Sequence, residues 1–357
     1  MVDPRVAPVA PGPRADQETI TFTLPDPDRR RRGVRLVQEL GLPHDELDFR
    51  YDEPAGRWVL TLPRPPVHRM EYRLQLRDAE GHVETINDPA ADGMAPGAFG
   101  EKSVLEMPGY APPEWLAAGA RWEASTELSI TTRGGPVAVT VLSPPVPTRR
   151  LLVAHDGPEY DRLASLGVFA AAVVAAGRVR PFHLALAAPG PRDERYSANP
   201  GYTAALATRV IPTLHARLDT RAPTVLMGAS LGGLAALHAQ RRHPRGIGGL
   251  FLQSGSFFVP RYDECESGFP YYRRIIRYVS TVLAARRAGH PVLTMLTCGA
   301  IEENVYNNRL MAAALGKQGY PAALHEVPDT HNFTAWRDAF DPHLVHLLNA
   351  VWGEPDA

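Results

Sequence analysis

The spacing of apolar residues divides the chain into two regions with different periods. From about residue 18, apolar residues alternate with polar ones, and turn-forming segments such as EPAGR and DAEGH separate the alternating runs. The alternating positions are Ile20, Phe22 and Leu24, then Trp58, Leu60 and Leu62, then Met70, Tyr72, Leu74 and Leu76. A period of two is typical of strands that bury one face. Several short strands of this kind predict a small all-β, immunoglobulin-like sandwich domain over residues 18–112.

Farther along the chain the apolar runs no longer alternate strictly. They occupy residues 136–142, 150–154, 182–187, 224–227, 249–253 and 292–297. Helical patterns such as 202–218 and 231–242 lie between several of them. Continuous apolar runs suit strands buried on both faces, and strands that take turns with helices predict a mostly parallel sheet with helices on both sides. We therefore expect an α/β domain over residues 126–357, with its active site at the carboxyl ends of the strands.

Three further segments have a different composition. Residues 1–17 are rich in Pro and Ala and are predicted to be a disordered tail. Residues 87–113 are rich in Gly, Pro and Ala without a sustained period, which favours an ordered connector at the domain junction. The linker between the two predicted domains is expected at residues 113–125.

One glycine-rich stretch, TVLMGASLGGLAAL at residues 224–237, places Ser230 between an apolar strand and a predicted helix. Gly228 and Gly232 allow so sharp a turn to close without side-chain collision. The turn presents the serine oxygen at the helix N-terminus, where the helix dipole and the amide of Leu231 face any developing negative charge. This pattern predicts Ser230 as a nucleophile and the Leu231 N–H as an oxyanion donor.

A serine nucleophile needs a base and an acid that orients the base. In α/β-hydrolases these follow in the order serine, acid, histidine. Glu302 and Glu303 follow the apolar run 292–297 after four residues, and the spacing from Gly299 favours Glu302. Of the thirteen histidines, His331 alone lies in the loop that follows the last predicted strand. The sequence therefore predicts a Ser230–His331–Glu302 triad, with Glu303 as the alternative acid.

Composition narrows the class of protein further. Hydrophobic residues make up 44% and charged residues 22%, as in soluble globular proteins, and the formal net charge of -1 gives no support for a nucleic-acid or membrane partner. Cys265 and Cys298 cannot form a disulfide framework and fit a reducing compartment. No signal-peptide core or membrane-spanning run stands out, so we expect a cytoplasmic protein. No metal-ligand set is recognised and no cofactor is expected, whereas the oligomeric state stays open.

Seven motifs resemble, in order, those of the enterochelin (ferric-siderophore) esterases, a branch of the α/β-hydrolases close to the esterase D group. They are APGAFGEKSVLEMPGY, LLVAHDGPEY, RDERYSANPGY, GASLGGLAAL, LQSGSFF, CGAIEEN and DTHNFTAWR, and they cover nearly the whole chain. The resemblance implies a β-sandwich followed by an α/β-hydrolase domain. It assigns the nucleophile to Ser230, the acid to Glu302 and the base to His331.

The resemblance also implies residues around the substrate. In the family, the residue after the Asp–Gly pair of HDGPEY donates its N–H to the oxyanion, but here that residue is Pro158, which has no N–H. The second donor is therefore expected at Gly157 or Glu159. The family pattern places Arg192 and Tyr202 beside the cleft. His155, which could fill a gap in the oxyanion hole, and Arg261, in the segment FFVPRYDECE, are further candidates for substrate contact.

Together these patterns predict a serine esterase that acts through an acyl-enzyme on a small-molecule ester, and the resemblance implies a siderophore or a related secondary metabolite as the substrate. Three alternatives stay open: a carbohydrate esterase that removes acetyl or feruloyl groups, an acyltransferase with the same triad, and a binding protein with a defective oxyanion hole. The β-sandwich is expected to narrow the cleft without taking part in catalysis.

Overall fold

The structure is a computed structural model that describes residues 12–355, arranged in two compact units. The first unit holds the described residues up to Ala111 together with two short segments, Ala300–Glu302 and Pro328–Asn332. The second unit contains the remaining described residues from Pro112 onward, including the predicted linker 113–125. Residues 1–11 of the predicted tail lie outside the described residues.

The first unit is built from two antiparallel sheets. Its strands are β1 (Arg14–Ala15), β2 (Thr19–Pro25), β3 (Arg31–Gln38), β4 (Arg50–Asp52), β5 (Arg57–Pro63), β6 (Arg69–Asp78), β7 (Val83–Ile86), β8 (Gly93–Ala95) and β9 (Lys102–Glu106), with a 3₁₀ turn at His44–Glu46. One sheet has the order β1-β2-β5-β4, and the other has β3-β6-β9-β8 with β7 beside β6. The alternating residues of β2, β5 and β6 are buried in one core together with residues of β3. The predicted β-sandwich is confirmed.

Strand β9 lies inside the segment that the sequence predicted to be a connector. It pairs with β6 in register Met70↔Leu105 and is a central strand of its sheet. Glycines and prolines on both sides concealed this five-residue strand. The tail prediction also fails at residues 14 and 15, which pair with Thr21 and Ile20 as strand β1.

The second unit contains an eight-stranded sheet. Its strands are β10 (Ala124–Ile130), β11 (Val137–Ser143), β12 (Leu151–His155), β13 (His183–Ala187), β14 (Thr224–Ala229), β15 (Ile247–Gln253), β16 (Leu293–Gly299) and β17 (Ala322–Val327). The order is β10-β11-β13-β12-β14-β15-β16-β17, and the six strands from β13 to β17 in that order are parallel. The predicted mostly parallel sheet is therefore confirmed. The antiparallel edge strand β10 escaped prediction because most of its side chains are exposed and its apolar pattern is weak.

Helices cover both faces of this sheet. They are α1 (Gly157–Ala164), α2 (Leu166–Ala175), α3 (Arg192–Tyr196), α4 (Pro200–Ala205), α5 (Ile211–Leu218), α6 (Leu231–Arg242), α7 (Tyr272–Ala284), α8 (Val305–Lys317), α9 (Phe333–Asp338) and α10 (Phe340–Trp352), with a π-turn at Leu206–Val210 and 3₁₀ turns at Glu114–Ala117 and Glu264–Gly268. Within β14, Leu226 belongs to a core shared with α6, whereas Val225 and Met227 belong to a second core shared with α2 and α10. Alternate side chains of a strand point to opposite faces, so the two cores mark two helical layers. None of the helices within residues 12–355 is long and apolar enough to cross a membrane.

The carboxyl edge of the parallel strands carries a series of unusual backbone conformations. Asp156 after β12, Ser230 after β14 and Ser254 after β15 have φ angles of 51°, 54° and 47°. A non-glycine residue with positive φ costs roughly 1–3 kcal/mol, and such residues concentrate at functional sites. This edge is therefore where the candidate site is built.

Candidate active site

Ser230 occupies a strained turn between β14 and α6. Its φ and ψ angles are 54° and -122°. The turn is held by its own N–H, which donates to the Gln253 carbonyl at 2.9 Å, and by its carbonyl, which accepts from the Ser256 N–H at 3.1 Å. A Cβ at Gly228 would lie 2.4 Å from the carbonyl carbon of Gly232, so the strand and the helix meet too closely for a larger residue. The backbone thus presents Ser230 as the turn residue that the sequence pattern predicted.

Helix α6 begins directly after Ser230, with Leu231 as its first residue. The first N–H groups of a helix have no acceptor inside it. In α6 the first hydrogen bond of the helical pattern runs from the Leu234 N–H to the Ser230 carbonyl. The amides of Leu231, Gly232 and Gly233 therefore form the positive end of the helix next to the serine. This arrangement favours a negative charge at that point.

A second serine lies beside the first, and sequence reasoning missed it. The two hydroxyl oxygens of Ser230 and Ser256 are 3.0 Å apart, within hydrogen-bond distance, and Ser256 is only 2% exposed. Ser256 follows β15, the neighbour of β14 in the sheet, within the LQSGSFF motif. The LQSGSFF motif could have revealed Ser256, because the motif ends a parallel strand at the same edge of the sheet as the turn at Ser230.

A buried hydrogen-bond network around Gln253 holds the carboxyl edge of the parallel strands together. The side chain of Gln253 accepts a hydrogen bond from the Tyr160 hydroxyl at 2.9 Å and donates to Thr297 Oγ1 and the Trp336 carbonyl, both at 3.0 Å. The Trp336 indole N–H donates to Ser254 Oγ at 3.0 Å. Fully satisfied buried networks restrict local motion, so β15, β16, α1 and α9 are tied together around the turn.

Glu302 and His331, predicted as acid and base, form a pair in the first unit. His331 Nδ1–H donates to Glu302 Oε1 at 3.3 Å, where the carboxylate is the only possible acceptor of the two. The Glu302 side chain is fully buried and the imidazole is 22% exposed. The rival acid, Glu303, is exposed and belongs to the second unit, which also contains Ser230. The structure thus pairs the histidine with the preferred glutamate.

The segment after β12 contains the other predicted oxyanion donors. Asp156 adopts a left-handed conformation, and α1 begins at Gly157 with Pro158 in its first turn. A Cβ on Gly157 would lie 2.3 Å from the Leu186 Cα, so only glycine fits against β13. Pro158 suits a helix start because its missing N–H has no intrahelical acceptor anyway. The amides of Gly157 and Glu159 are the remaining donors of this first turn.

His155 does not stand where a substrate contact was expected. It is fully buried, and its ring lies against Tyr196 and Tyr202, with centroids 5.1 and 5.9 Å away. Burial lowers the pKa of the imidazole, so it is neutral and its Nδ1–H donates to the Met227 carbonyl at 3.1 Å. We therefore correct this prediction: His155 is a packing residue beneath the site.

The remaining candidates for substrate contact differ in exposure. Both Nε and Nη2 of Arg192 are held by the buried Asp156 carboxylate at 2.9 Å, which leaves the arginine few donors for a ligand. Tyr202 is buried and lines a cleft of about 750 Å³, together with Arg133 and Arg209. Arg261 is exposed, and its guanidinium lies 5.5 Å from the Tyr262 ring centroid.

Comparison with known proteins agrees with this description of the fold. Residues 134–267, which include Ser230, match the esterase family described as "Putative esterase". No curated protein matches the chain in sequence. The match supports the prediction of an esterase.

Two enterobactin esterases of known structure have the same architecture. The ferric enterobactin esterase of Salmonella typhimurium superposes with a TM-score of 0.76 at 20% identity, covering 95% of this chain and 96% of that one. The enterobactin esterase of Shigella flexneri, solved in the presence of enterobactin, gives 0.75 at 19% identity and covers 96% of each chain. A ferulic acid esterase gives 0.52 at 17% identity and covers 63% of this chain and 97% of its own. The predicted resemblance to the enterochelin esterases is confirmed at the level of the fold.

Proposed function

We propose that this protein is a serine esterase in which Ser230 is the nucleophile, His331 the general base and Glu302 the residue that orients the base. The observation that carries the proposal is the strained Ser230 turn at the positive end of α6. The paired Glu302 and His331 supply the two other members that such a nucleophile needs. In addition, the chain leaves the parallel strands β14, β16 and β17 at one edge of the sheet, and the three residues follow those strands.

The reaction proceeds through an acyl-enzyme. Ser230 Oγ attacks the ester carbonyl carbon while its proton passes to His331 Nε2. The tetrahedral oxyanion receives a hydrogen bond from the Leu231 N–H at the start of α6. The imidazolium, stabilised by Glu302, then gives its proton to the leaving alcohol as the C–O bond breaks. A water molecule attacks the acyl-enzyme with the same base, and the acid product leaves.

For the substrate, we propose an ester with an anionic or phenolic aromatic acyl group, as in siderophores built from hydroxybenzoyl units. Tyr262 and Tyr306 stack with ring centroids 5.5 Å apart, and both rings are partly exposed. Arg261 lies over the first ring at 5.5 Å. Arg309 lies over the second at 5.4 Å, but the Glu326 carboxylate holds its Nε and Nη2, both at 2.6 Å, so Arg261 is the candidate for an anionic group. Exposed aromatic faces bordered by guanidinium groups favour planar, electron-rich ligands. Coverage of nearly the whole chain by the enterobactin esterases supports the same substrate class.

A feruloyl ester is the second candidate substrate. The ferulic acid esterase superposes on 63% of this chain. A feruloyl group is also a phenolic aromatic acyl group. Competition between an ester of N-hydroxybenzoyl-serine and a feruloyl ester of a sugar, compared by kcat/KM, separates the two candidates.

A fluorophosphonate probe tests the serine-esterase proposal directly. Mass spectrometry of the treated protein is expected to place one phosphonyl group on Ser230, and the Ser230→Ala variant is expected to remain unlabelled. Absence of label from the folded wild-type protein would favour the binding-protein alternative. A label on Ser256 instead would reassign the nucleophile to Ser256, whose hydroxyl oxygen is 3.0 Å from that of Ser230.

The second oxyanion donor is proposed at Gly157 or Glu159, and Pro158→Ala tests this. Restoring an N–H at position 158 is expected to change kcat by less than about threefold, because a neighbouring amide already serves. A hole that lacks a donor would gain roughly a hundred- to thousandfold in kcat from the new N–H. Pro200→Ala is the matched control, since Pro200 is likewise exposed and is the first residue of its helix, after a non-helical N-cap residue. An increase of a hundredfold in the Pro158 variant alone would contradict the proposed donor.

A further inference from the structure

The first unit contains more than a β-sandwich, because the segments with Glu302 and His331 belong to it. Ile301, next to the acid, packs against the core of the sandwich. The Pro328 carbonyl, three residues before the base, accepts a hydrogen bond from the His68 N–H at 2.6 Å. His68 directly precedes β6, so the start of this strand holds the histidine segment by its backbone.

A buried arginine lies at the same place. Arg69, the first residue of β6, is 3% exposed, and its guanidinium lies 3.6 Å from Glu71 Oε1 and 3.7 Å from Asp329 Oδ2. Its Nη1 has no hydrogen-bond partner among the described residues. Burial raises the pKa of the Glu71 carboxyl, against the attraction of Arg69 and Lys102. A buried cation is retained only where it is paired, so Arg69 sits between two carboxylates that would otherwise face each other's charge.

Asp329 in turn shapes the segment that carries the base. Its Oδ1 accepts hydrogen bonds from the Thr330 N–H at 2.7 Å and from the Asn332 side-chain amide at 2.9 Å. These two residues flank His331 on either side, and both are buried. The path from the sandwich to the imidazole is therefore short: Arg69, then the Asp329 carboxylate, then the two neighbours of His331.

We propose that Arg69 is a positioning residue, which holds the Pro328–Asn332 segment through Asp329 and so orients the His331 imidazole towards Glu302. The inference rests on the proposed function, in which this imidazole is the base. It revises the expectation that the sandwich only narrows the cleft, because the sandwich supplies the cation that fixes the acid–base pair. An error of about 1 Å in the position of such a group costs on the order of a hundredfold in rate.

The test replaces the cation in the whole chain, residues 1–357. Arg69→Met, which keeps an unbranched side chain about as long as the arginine stem but loses the charge, is expected to lower kcat on p-nitrophenyl butyrate roughly ten- to hundredfold while KM changes less than about threefold. Arg69→Lys is expected to recover part of the loss, so that kcat stays about three- to tenfold below that of the wild-type protein. Arg35→Met is the control: Arg35 also lies in the first unit and is ion-paired, but its partner Asp48 lies outside both short segments. The control is expected to keep kcat.

A double-mutant cycle identifies the route. Asp329→Asn is expected to lower kcat by a similar factor, and the Arg69→Met, Asp329→Asn double variant should be no slower than about the worse single variant. Additive losses would show that the two residues act separately and would overturn the proposed route. All rates are compared below the onset of thermal unfolding of each variant.

A spectroscopic readout separates this inference from the proposed function. The His331 Nδ1–H proton, hydrogen-bonded to Glu302, gives a downfield NMR signal that is identified by its absence in His331→Ala. We expect this signal to shift or broaden in Arg69→Met and to persist in Arg35→Met. If the signal changes in Arg69→Met and persists in Arg35→Met, but the wild-type protein has no esterase activity, the positioning role stands and the proposed function fails.

Three results would overturn the positioning role. In Arg69→Met they are an unchanged NMR signal, an unchanged kcat when the wild-type protein is active, or a rise in KM alone. A rise in KM alone would mean that Arg69 affects substrate binding instead of the position of the base. Should Arg69→Met not fold, Arg69→Lys gives the same test, because a lysine cannot contact both carboxylates with one planar group. In that variant a loss of about three- to tenfold in kcat together with a shifted signal is expected, and wild-type values for both would contradict the proposal.

Discussion

Replacing Ser230 by alanine is expected to lower kcat for ester hydrolysis by about four to six orders of magnitude, with little change in KM. The hydroxyl is the atom that forms the acyl bond, so no covalent intermediate is possible without it. The fold should persist, because the turn is held by backbone hydrogen bonds to Gln253 and Ser256 that alanine retains. Steady-state kinetics on p-nitrophenyl butyrate and a thermal unfolding curve measure the two effects.

The matched controls and the partner variant sharpen this prediction. Ser129→Ala, at an exposed position of β10, should keep full activity. His331→Ala should be about as slow as Ser230→Ala, and the double variant no slower, since nucleophile and base act as one unit. A double variant that is far slower than either single one would contradict a shared role.

Ser256 provides a further discrimination, because its hydroxyl is a hydrogen bond away from that of Ser230. If Ser256→Ala abolished turnover while Ser230→Ala left it intact, the nucleophile would have to be reassigned. The backbone favours Ser230 as the nucleophile, because Ser230 has a positive φ angle and directly precedes helix α6.

The parts of the site that follow one another along the chain were predictable. The turn at Ser230 was predicted from a strand, two flanking glycines and a helix, all within fourteen residues, 224–237, and the structure has these elements. The preference for Glu302 over Glu303 came from spacing after a strand, and burial now separates the two side chains. These features depend on local backbone geometry, which short sequence patterns encode.

Other features depend on contacts between distant segments, and the sequence patterns did not reveal them. The burial of His155 comes from Tyr196 and Tyr202, some forty residues later, so its position at the end of a strand suggested an accessibility that it lacks. The pairing of Arg69 with Asp329 joins the start of β6 to a loop near the other end of the chain. Single residues in such pairs have no periodicity that marks them.

The choice between the two adjacent glutamates gives the second large expected effect. Glu302→Gln should lower kcat by about four orders of magnitude, because the amide no longer stabilises the imidazolium and favours the wrong tautomer of His331. Glu303→Gln, a change of the same size at the neighbouring position, should leave kcat within about twofold, because that side chain is exposed and His331 is paired with Glu302.

Kinetics on the small ester and the His331 Nδ1–H signal are measured for both glutamine variants. In Glu302→Gln the signal should be lost or strongly shifted, whereas in Glu303→Gln it should stay in place. A reversed order of the two rates would move the acid to Glu303 and leave the nucleophile and the base unchanged. Equal and small effects would mean that neither carboxylate orients His331, and then the buried Asp329 carboxylate, two residues before the histidine, is the acid to replace next.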